Sequence, residues 1–194
     1  MTNLLTPEVT VASSSLFVAR APKENANGKK TFYLRMLFTP DALQSPQFKA
    51  IGARVMEVGK EAFGPKFAAM WKEDGIRSPF RKDVVTKGYP ETFACFINTS
   101  ANEEYPPQVV GRNSQPIDDR KKIYPGAVVR ASVSVRAYGG GKTGFAPGIA
   151  IDLRNVQWVG DGERLKGAQA DAAEEFGSLP EDNDNLTDLV DQAA

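Results

Sequence analysis

The segment Val128–Tyr138 alternates between small apolar and polar side chains along its whole length. Because successive side chains of a strand point to opposite faces, this pattern predicts a long strand with one buried face. The predicted inward residues are Val129, Ala131, Val133, Val135 and Ala137, and the predicted outward residues are Arg130, Ser132, Ser134, Arg136 and Tyr138. A second strand, Phe145–Val159, returns after the glycine-rich turn 139–144, so the two segments predict a hairpin.

Four other segments also have the composition of strands, namely Val9–Arg20, Thr31–Phe38, Thr92–Asn98 and Gln108–Val110. In the second of these, alternation predicts that Phe32, Leu34, Met36 and Phe38 face the core, whereas Tyr33 and Arg35 share the other face. Apolar residues recur at helical spacing in Pro46–Trp71, and Gly64-Pro65 is expected to split that helix in two. The segment Asp74–Glu91 is rich in charge and turn-forming residues and predicts a loop.

Five or so strands with one helical insertion predict a mainly β domain. The favoured architecture is a five-stranded Greek-key barrel of the oligonucleotide-binding type, and a generic α+β sandwich is the alternative. Periodicity alone does not choose between the two.

The acidic residues of the chain are concentrated at its C-terminal end. The last 27 residues contain eight carboxylates and no lysine or arginine, and removing these eight from the 24 acidic residues leaves 16 against 24 basic ones, a body of about +8. We therefore expect one domain over residues 1–167 and a disordered acidic arm over 168–194. Apolar residues interleave with the acids, and this composition suits a segment that docks on a basic groove or on a partner protein. The alternative is a disordered end that only increases solubility. The arm residues in question are Asp171, Glu174, Glu175, Phe176, Glu181, Asp182, Asp184, Asp188 and Asp191.

Several classes of chemistry are excluded by composition. The chain has no histidine and one cysteine, Cys95, so zinc sites of the usual ligands, imidazole catalysis and internal disulfides are ruled out, and no cofactor is expected. Cys95 lies in an apolar run and is interpreted as a buried small hydrophobe.

Residues 139–143 do not form a phosphate loop, because Arg136 stands where that motif needs glycine. No segment has the length of a membrane span and the N-terminus lacks a secretion signal, which predicts a cytoplasmic protein.

An outward surface that combines arginines with tyrosines has the composition for binding single-stranded nucleic acid. Arginine attracts phosphates, and a flat ring stacks on any base, so such a surface binds without reading sequence. The candidate residues are Tyr33, Arg35, Arg130, Arg136 and Tyr138 on the barrel and Arg77, Phe80, Arg81, Lys82, Arg112 and Lys142 in loops. The alternative is an ordinary solvated face whose arginines cover apolar neighbours.

A second alternative is a metal-dependent nuclease. Carboxylates could hold divalent ions for phosphodiester cleavage. The candidates are Glu103, Glu104, Asp118, Asp119 and Asp152, but they show no recognisable spacing and most are expected on the surface.

An ordered series of segments resembles the phage single-stranded-DNA-binding protein family. The segments are Phe96–Ser100, Pro107–Asn113, Tyr124–Gly126, Arg130–Tyr138, Asn155–Gln157, Asp161–Leu165 and Ala173–Phe176, which opens the acidic arm. The resemblance extends over about half of the chain. Two departures are that Gly111 stands where an acid is common and that the chain ends in Ala194, whereas some relatives end in an aromatic residue.

The resemblance implies a non-enzymatic protein with an oligonucleotide-binding fold. Such proteins coat single strands during phage replication and recombination in the host cytoplasm, promote annealing, recruit polymerase through the arm and often form dimers. We expect the arm to compete with DNA for the basic surface, because a tethered segment acts at high effective concentration. The rival hypotheses are a replication or recombination scaffold, or an annealing factor, with weak DNA affinity of its own.

Overall fold

The computed structural model describes residues 3–21, 28–139 and 146–165. This part of the chain contains eight strands, three α-helices and three short 3-10 helices. The strands are β1 (Leu4–Leu5), β2 (Val9–Arg20), β3 (Thr31–Phe38), β4 (Phe80–Arg81), β5 (Cys95–Asn102), β6 (Gln108–Val110), β7 (Val128–Tyr138) and β8 (Gly148–Gly160). The helices are α1 (Pro40–Gln44), α2 (Pro46–Phe63) and α3 (Phe67–Lys72), and the 3-10 turns are Gly64–Lys66, Val85–Lys87 and Arg120–Lys122.

The five long strands close into a ring. β2 pairs with β3, β3 with β5, β5 with β8, β8 with β7, and β7 again with β2. All of these pairings are antiparallel except that of β5 with β8. The short strands β1, β4 and β6 extend the ring by pairing with β7, β5 and β8. The predicted five-stranded barrel of the oligonucleotide-binding type is therefore confirmed.

Most predicted elements begin and end where alternation places them. The strands β2, β3, β6 and β7 have their predicted bounds, and the helical insertion is divided as expected by a 3-10 turn at Gly64-Pro65. The strand predicted at Thr92–Asn98 is a correction, because β5 begins at Cys95 and continues to Asn102, where its last residue pairs with Thr31. The strand predicted at Phe145–Val159 is a second correction, because β8 runs from Gly148 to Gly160 and the described residues Ala146 and Pro147 precede it outside the strand. Phe145 and most of the glycine-rich turn lie outside the described residues.

The core is built from the inward faces of the barrel and from the helical insertion. Leu34, Met36 and Phe38 of β3 are fully buried, as alternation predicts. Ser45 caps α2 by accepting a hydrogen bond of 3.1 Å from the backbone N–H of Phe48, and this helix packs its buried side chains against β1, β7 and β8. Burial of each large aliphatic side chain contributes about 1.5–3 kcal/mol to the stability of this packing.

A β-bulge in β8 covers one side chain of β7 that was predicted to be exposed. Ser132 pairs with Asn155 and Val133 pairs with Leu153, so Arg154 is an extra residue on β8. The Nε of Arg154 donates a hydrogen bond of 3.0 Å to the hydroxyl of Ser134, which is only 2% exposed. Ser134 was expected to face solvent, and that expectation is wrong because the bulge covers it.

Cys95 has the buried position expected of a structural cysteine. Its side chain is free, and burial raises the pKa of the thiol to about 11. None of the described helices is long and apolar enough to cross a membrane.

Candidate nucleic-acid interface

The outward side chains of β2, β3 and β5 form one polar surface, which we call the outer face. Two rows of register partners cross it: Ser13, Arg35 and Asn98 in one row, and Tyr33 and Ser100, beside the buried Ser15, in the next. The second row continues to Asp152 of β8, because Ser100 and Asp152 are partners in the parallel pairing. Two strand spacings, about 10 Å, therefore separate the backbones of Tyr33 and Asp152.

Arg35 lies at the centre of the outer face and is held in a defined orientation. Its Nε donates a hydrogen bond of 2.7 Å to Oδ1 of Asn98, and its Nη1 donates one of 2.8 Å to the hydroxyl of Tyr89. The guanidinium also lies 5.2 Å from the ring centroid of Phe96. Both hydrogen-bond acceptors are neutral, so these contacts orient the positive charge without neutralising it.

One end of the outer face is apolar and covered. Ala12, Leu37, Phe96 and Val84 are buried together there, and Tyr89 packs edge-on against Phe96 at 6.1 Å. The segment around the 3-10 turn Val85–Lys87 thus closes this end and places the Tyr89 hydroxyl beside Arg35. The exposed part of the outer face begins at Arg35.

Strand β4 brings Arg81 next to the covered end of the outer face. Arg81 pairs with Phe96, and its guanidinium donates two hydrogen bonds of 3.3 Å to Asp83. The hydrogen bond from Arg81 lowers the pKa of the Asp83 carboxyl. The neighbouring Phe80 packs its ring against Phe48 at 5.4 Å, on the core side of β4.

A second arginine–tyrosine group lies at the end of β7. The Nε of Arg136 donates hydrogen bonds of 2.9 and 2.8 Å to the two carboxylate oxygens of Asp152, and its guanidinium lies 5.9 Å from the ring centroid of Tyr138. The Tyr138 ring covers Gly148, where a Cβ would lie 2.4 Å from the hydroxyl oxygen of that ring. Arg77 approaches the same glycine through backbone hydrogen bonds with Pro147 and Ile149.

The other predicted residues lie apart from these groups or outside the described residues. Arg130 pairs with Gln157, six residues of strand and about 20 Å from Arg136. Arg112 donates from Nε to the carbonyl of Val159, on the same side as Gln157. Lys82 is exposed and lines a cavity of about 450 Å³ near Trp71. Lys142 and the whole arm, 168–194, lie outside the described residues, as does the predicted domain boundary.

Sequence reasoning missed three polar residues that complete the outer face, Ser13, Tyr89 and Asn98. Ser13 carries no local signal, because an irregularity of register between Val11 and Ser13 decides its position. Tyr89 lies in a segment interpreted as a loop, and only its tertiary contact reveals its role. Asn98 could have been found, because alternation within β5 places it on the same face as Ser100.

The chain leaves the described structure close to the covered end of the outer face. Gly126, with φ 114°, packs so closely on the backbone that a Cβ there would lie 2.1 Å from the carbonyl oxygen of Glu163. The Leu165 N–H donates a hydrogen bond of 3.2 Å to the carbonyl of Pro125. A groove of about 550 Å³ separates this segment from Tyr89 and Phe93. The last described residue, Leu165, is therefore held next to the covered end of the outer face.

The carboxylates considered for a nuclease site are not gathered into one. Among residues 3–21, 28–139 and 146–165, no group of three or more acidic or cysteine side chains is placed to hold a metal ion. Asp152 is engaged by Arg136.

Comparisons with known proteins agree with one another. The family model described as the ssDNA-binding protein of Enterobacter phage Enc34 matches residues 2–187. The structure resembles the single-stranded DNA-binding protein from bacteriophage Enc34 in complex with ssDNA, with a TM-score of 0.65, 15% identity, and coverage of 84% of this chain and 88% of that one. It also resembles gp2.5, the single-stranded DNA binding protein of bacteriophage T7, with a TM-score of 0.59, 12% identity, and coverage of 88% and 98%. No curated protein sequence gives a significant match.

Proposed function

The chain belongs to the family of the single-stranded-DNA-binding protein of Enterobacter phage Enc34, and from that premise we propose how it binds and releases DNA. It is a phage single-stranded-DNA-binding protein that acts in DNA replication and recombination. We propose that the strand lies along the outer face, from Arg35 past Tyr33 towards Arg136, and that the protein coats it without reading its sequence. The observation that carries this proposal is Arg35, whose charge is fixed in orientation by two neutral partners on an exposed polar face.

The arginines that bind phosphates differ in whether a carboxylate of the protein already neutralises their charge. Arg35 offers its charge directly. Arg81 and Arg136 are paired with Asp83 and Asp152 in the absence of DNA, so a phosphate replaces a carboxylate as their partner. Exposed ion pairs of this kind contribute only about 0–1 kcal/mol, and exchanging them costs little. Binding of this kind weakens steeply as salt rises, because each neutralised phosphate releases counterions.

Stacking on tyrosine rings supplies the part of the affinity that depends little on salt. Tyr33 lies in the row next to Arg35, and Tyr138 lies beside Arg136. Each stacked base contributes about 1–3 kcal/mol, whatever its identity. Arg77 supplies further positive charge near this path. Lys82 and Lys142 add to the overall positive charge of the body. Phe80 acts from the core side by fixing β4, and Arg112 and Arg130 extend the positive field around the barrel.

The acidic arm competes with DNA for the outer face. The position of Leu165 supports this, since Leu165 lines the same groove as Tyr89 and residues 168–194 follow it closely in the sequence. The negative charges of the arm and its apolar residues, Phe176 among them, suit it to cover the basic surface until DNA displaces it. The displaced arm is then free to recruit replication proteins such as the polymerase. The protein is not an enzyme, and it works in the host cytoplasm, as a monomer or a homodimer.

The proposal is tested by titrating a fluorescent oligothymidine with the full-length protein and with a chain that ends at Lys166, at several salt concentrations. A duplex of equal length is the control. We expect preferential binding to the single strand and tighter binding without the arm, most clearly at low salt. Equal affinity of the two proteins would refute the competition by the arm. Failure of both to bind would favour a scaffold that reaches DNA only through partners.

A further inference from the structure

A polar groove of about 460 Å³ lies at the open end of the outer face. Its walls are formed by β5, β8, the loop after β5 and the end of β7. The polar and aromatic residues that line it are Asn3, Ser100, Asn102, Tyr105, Arg136, Asp152, Arg154 and Asn155. Ser100 is the register partner of Tyr33, so the groove continues the row that crosses the outer face.

The groove exists because β8 pairs with β5 along one part of its length and with β6 along the next. β5 pairs with β8 up to Asp152, and β6 joins β8 from Asn155 onwards. Between these points β8 bulges at Arg154, while the chain leaves the sheet after Asn102 and returns at Gln108. The backbone N–H of Gln108 donates to Oδ1 of Asn155 at 3.1 Å, which fixes the returning strand. The opening is thus set by backbone pairing.

Tyr105 is the most exposed large apolar side chain among the described residues, at 70%. The loop that carries it is held by a hydrogen bond of 3.0 Å from the Tyr105 N–H to the carbonyl of Asn102. An exposed ring on a fixed turn loses little conformational freedom when a flat ligand stacks on it. In the same groove, Arg136 presents a guanidinium that is half exposed while it pairs with Asp152.

We propose that this groove binds one nucleotide of a single strand, with its base stacked on Tyr105 and its phosphate bound by Arg136. This subsite rests on the proposed function, because the same strand first crosses the outer face at Arg35 and Tyr33. Its volume lies within the range of small-ligand pockets, and its walls combine an aromatic ring, amides and a cation. The groove lengthens the DNA site beyond the outer face.

The test measures the affinity of oligothymidines of increasing length, from about four nucleotides upwards, for three proteins. These are the parent protein, Tyr105→Leu, which removes the ring, and Tyr105→Phe, which keeps it. We expect the longer oligonucleotides to bind about fivefold or more weakly to Tyr105→Leu, and the shortest ones to bind equally to all three. Tyr105→Phe should follow the parent at every length.

Two results would overturn the subsite. One is a Tyr105→Leu protein that equals the parent at every length, and the other is one that loses affinity equally at every length, since the ring would then belong to the central site. Tyr33→Leu, measured in parallel, should weaken all lengths. If the parent protein itself bound no oligothymidine, the proposed function would fail, which is a different outcome from either of these.

Discussion

The guanidinium of Arg35 and the hydroxyl of Tyr89 are joined by a hydrogen bond of 2.8 Å across 54 residues of sequence. Arg35 belongs to a barrel strand, and Tyr89 follows the 3-10 turn that covers the apolar end of the outer face. The bond therefore fixes the central cation of the proposed DNA site to the segment that lines one groove with Leu165, the last described residue. Disturbance of Arg35 should affect both DNA affinity and the order of that segment.

Replacement of Arg35 by alanine should weaken binding to every single-stranded sequence by about tenfold or more, because a charge-assisted phosphate contact is lost. The slope of log affinity against log salt should fall by about 0.7. Arg54→Ala is a matched control, since it removes the same charge from α2, where Arg54 pairs with Glu57. Similar losses from both variants would show that only net charge matters.

Replacement of Asp152 by asparagine should strengthen single-strand binding severalfold, because Arg136 no longer has to exchange a carboxylate for a phosphate. The salt dependence should become steeper, and the free energy of unfolding should change by less than about 1 kcal/mol. Fluorescence titration and thermal unfolding measure the two effects. Weaker binding by Asp152→Asn would mean that the carboxylate holds Arg136 in its productive position.

Replacement of Gly148 by alanine should lower stability by about 1–3 kcal/mol, because the new Cβ requires the Tyr138 ring to move. Oligonucleotide affinity should fall with it. Gly52→Ala is the control, since nothing lies within 4 Å of a Cβ at that position in α2, and it should stabilise the protein by up to about 1 kcal/mol. Thermal unfolding that shifts both variants in the same direction would contradict this account of Gly148.

Cys95 gives a prediction for pH. Burial raises the pKa of its thiol from 9.0 to about 11, so the folded state favours the neutral thiol. Above pH 9 the unfolded chain ionises first, and stability should fall as pH rises from about 9 towards 11. Cys95→Ala should lack this part of the pH dependence, which the difference between the two unfolding curves measures. Rapid reaction of the folded protein with a thiol reagent at pH 8 would contradict the burial.

Alternation in the sequence predicted the bounds of β3 and β7, because one buried face specifies register along Thr31–Phe38 and Val128–Tyr138, whereas it misplaced the ends of β5 and β8. It could not reveal the bulge at Arg154, since the extra residue is defined only against the partner strand. The aromatic Phe80 beside two basic residues suggested base stacking. Its pairing with Ile97 instead turns it towards Phe48, a tertiary contact that the local sequence does not encode.

The separation of the predicted arginines has a similar cause. Arg130 and Arg136 have the same parity along β7, and alternation alone assigns them to one surface. The barrel curves and β8 bulges between them, so Arg136 lies near Asp152 and Arg130 lies near Gln157. The curvature of the barrel depends on all five strands, and this curvature decides which arginines lie on the surface proposed to bind single-stranded DNA.

The most direct measurement is a map of backbone amide chemical shifts in the chain ending at Lys166, before and after addition of an oligothymidine. We predict that the largest changes fall on the outer face, at Ser13, Arg35, Asn98 and Ser100, and extend to Tyr105. The amides of Arg112, Arg130 and Gln157 should change least. Large changes confined to that second group, with the outer face unaffected, would contradict the proposal that DNA crosses β2, β3 and β5.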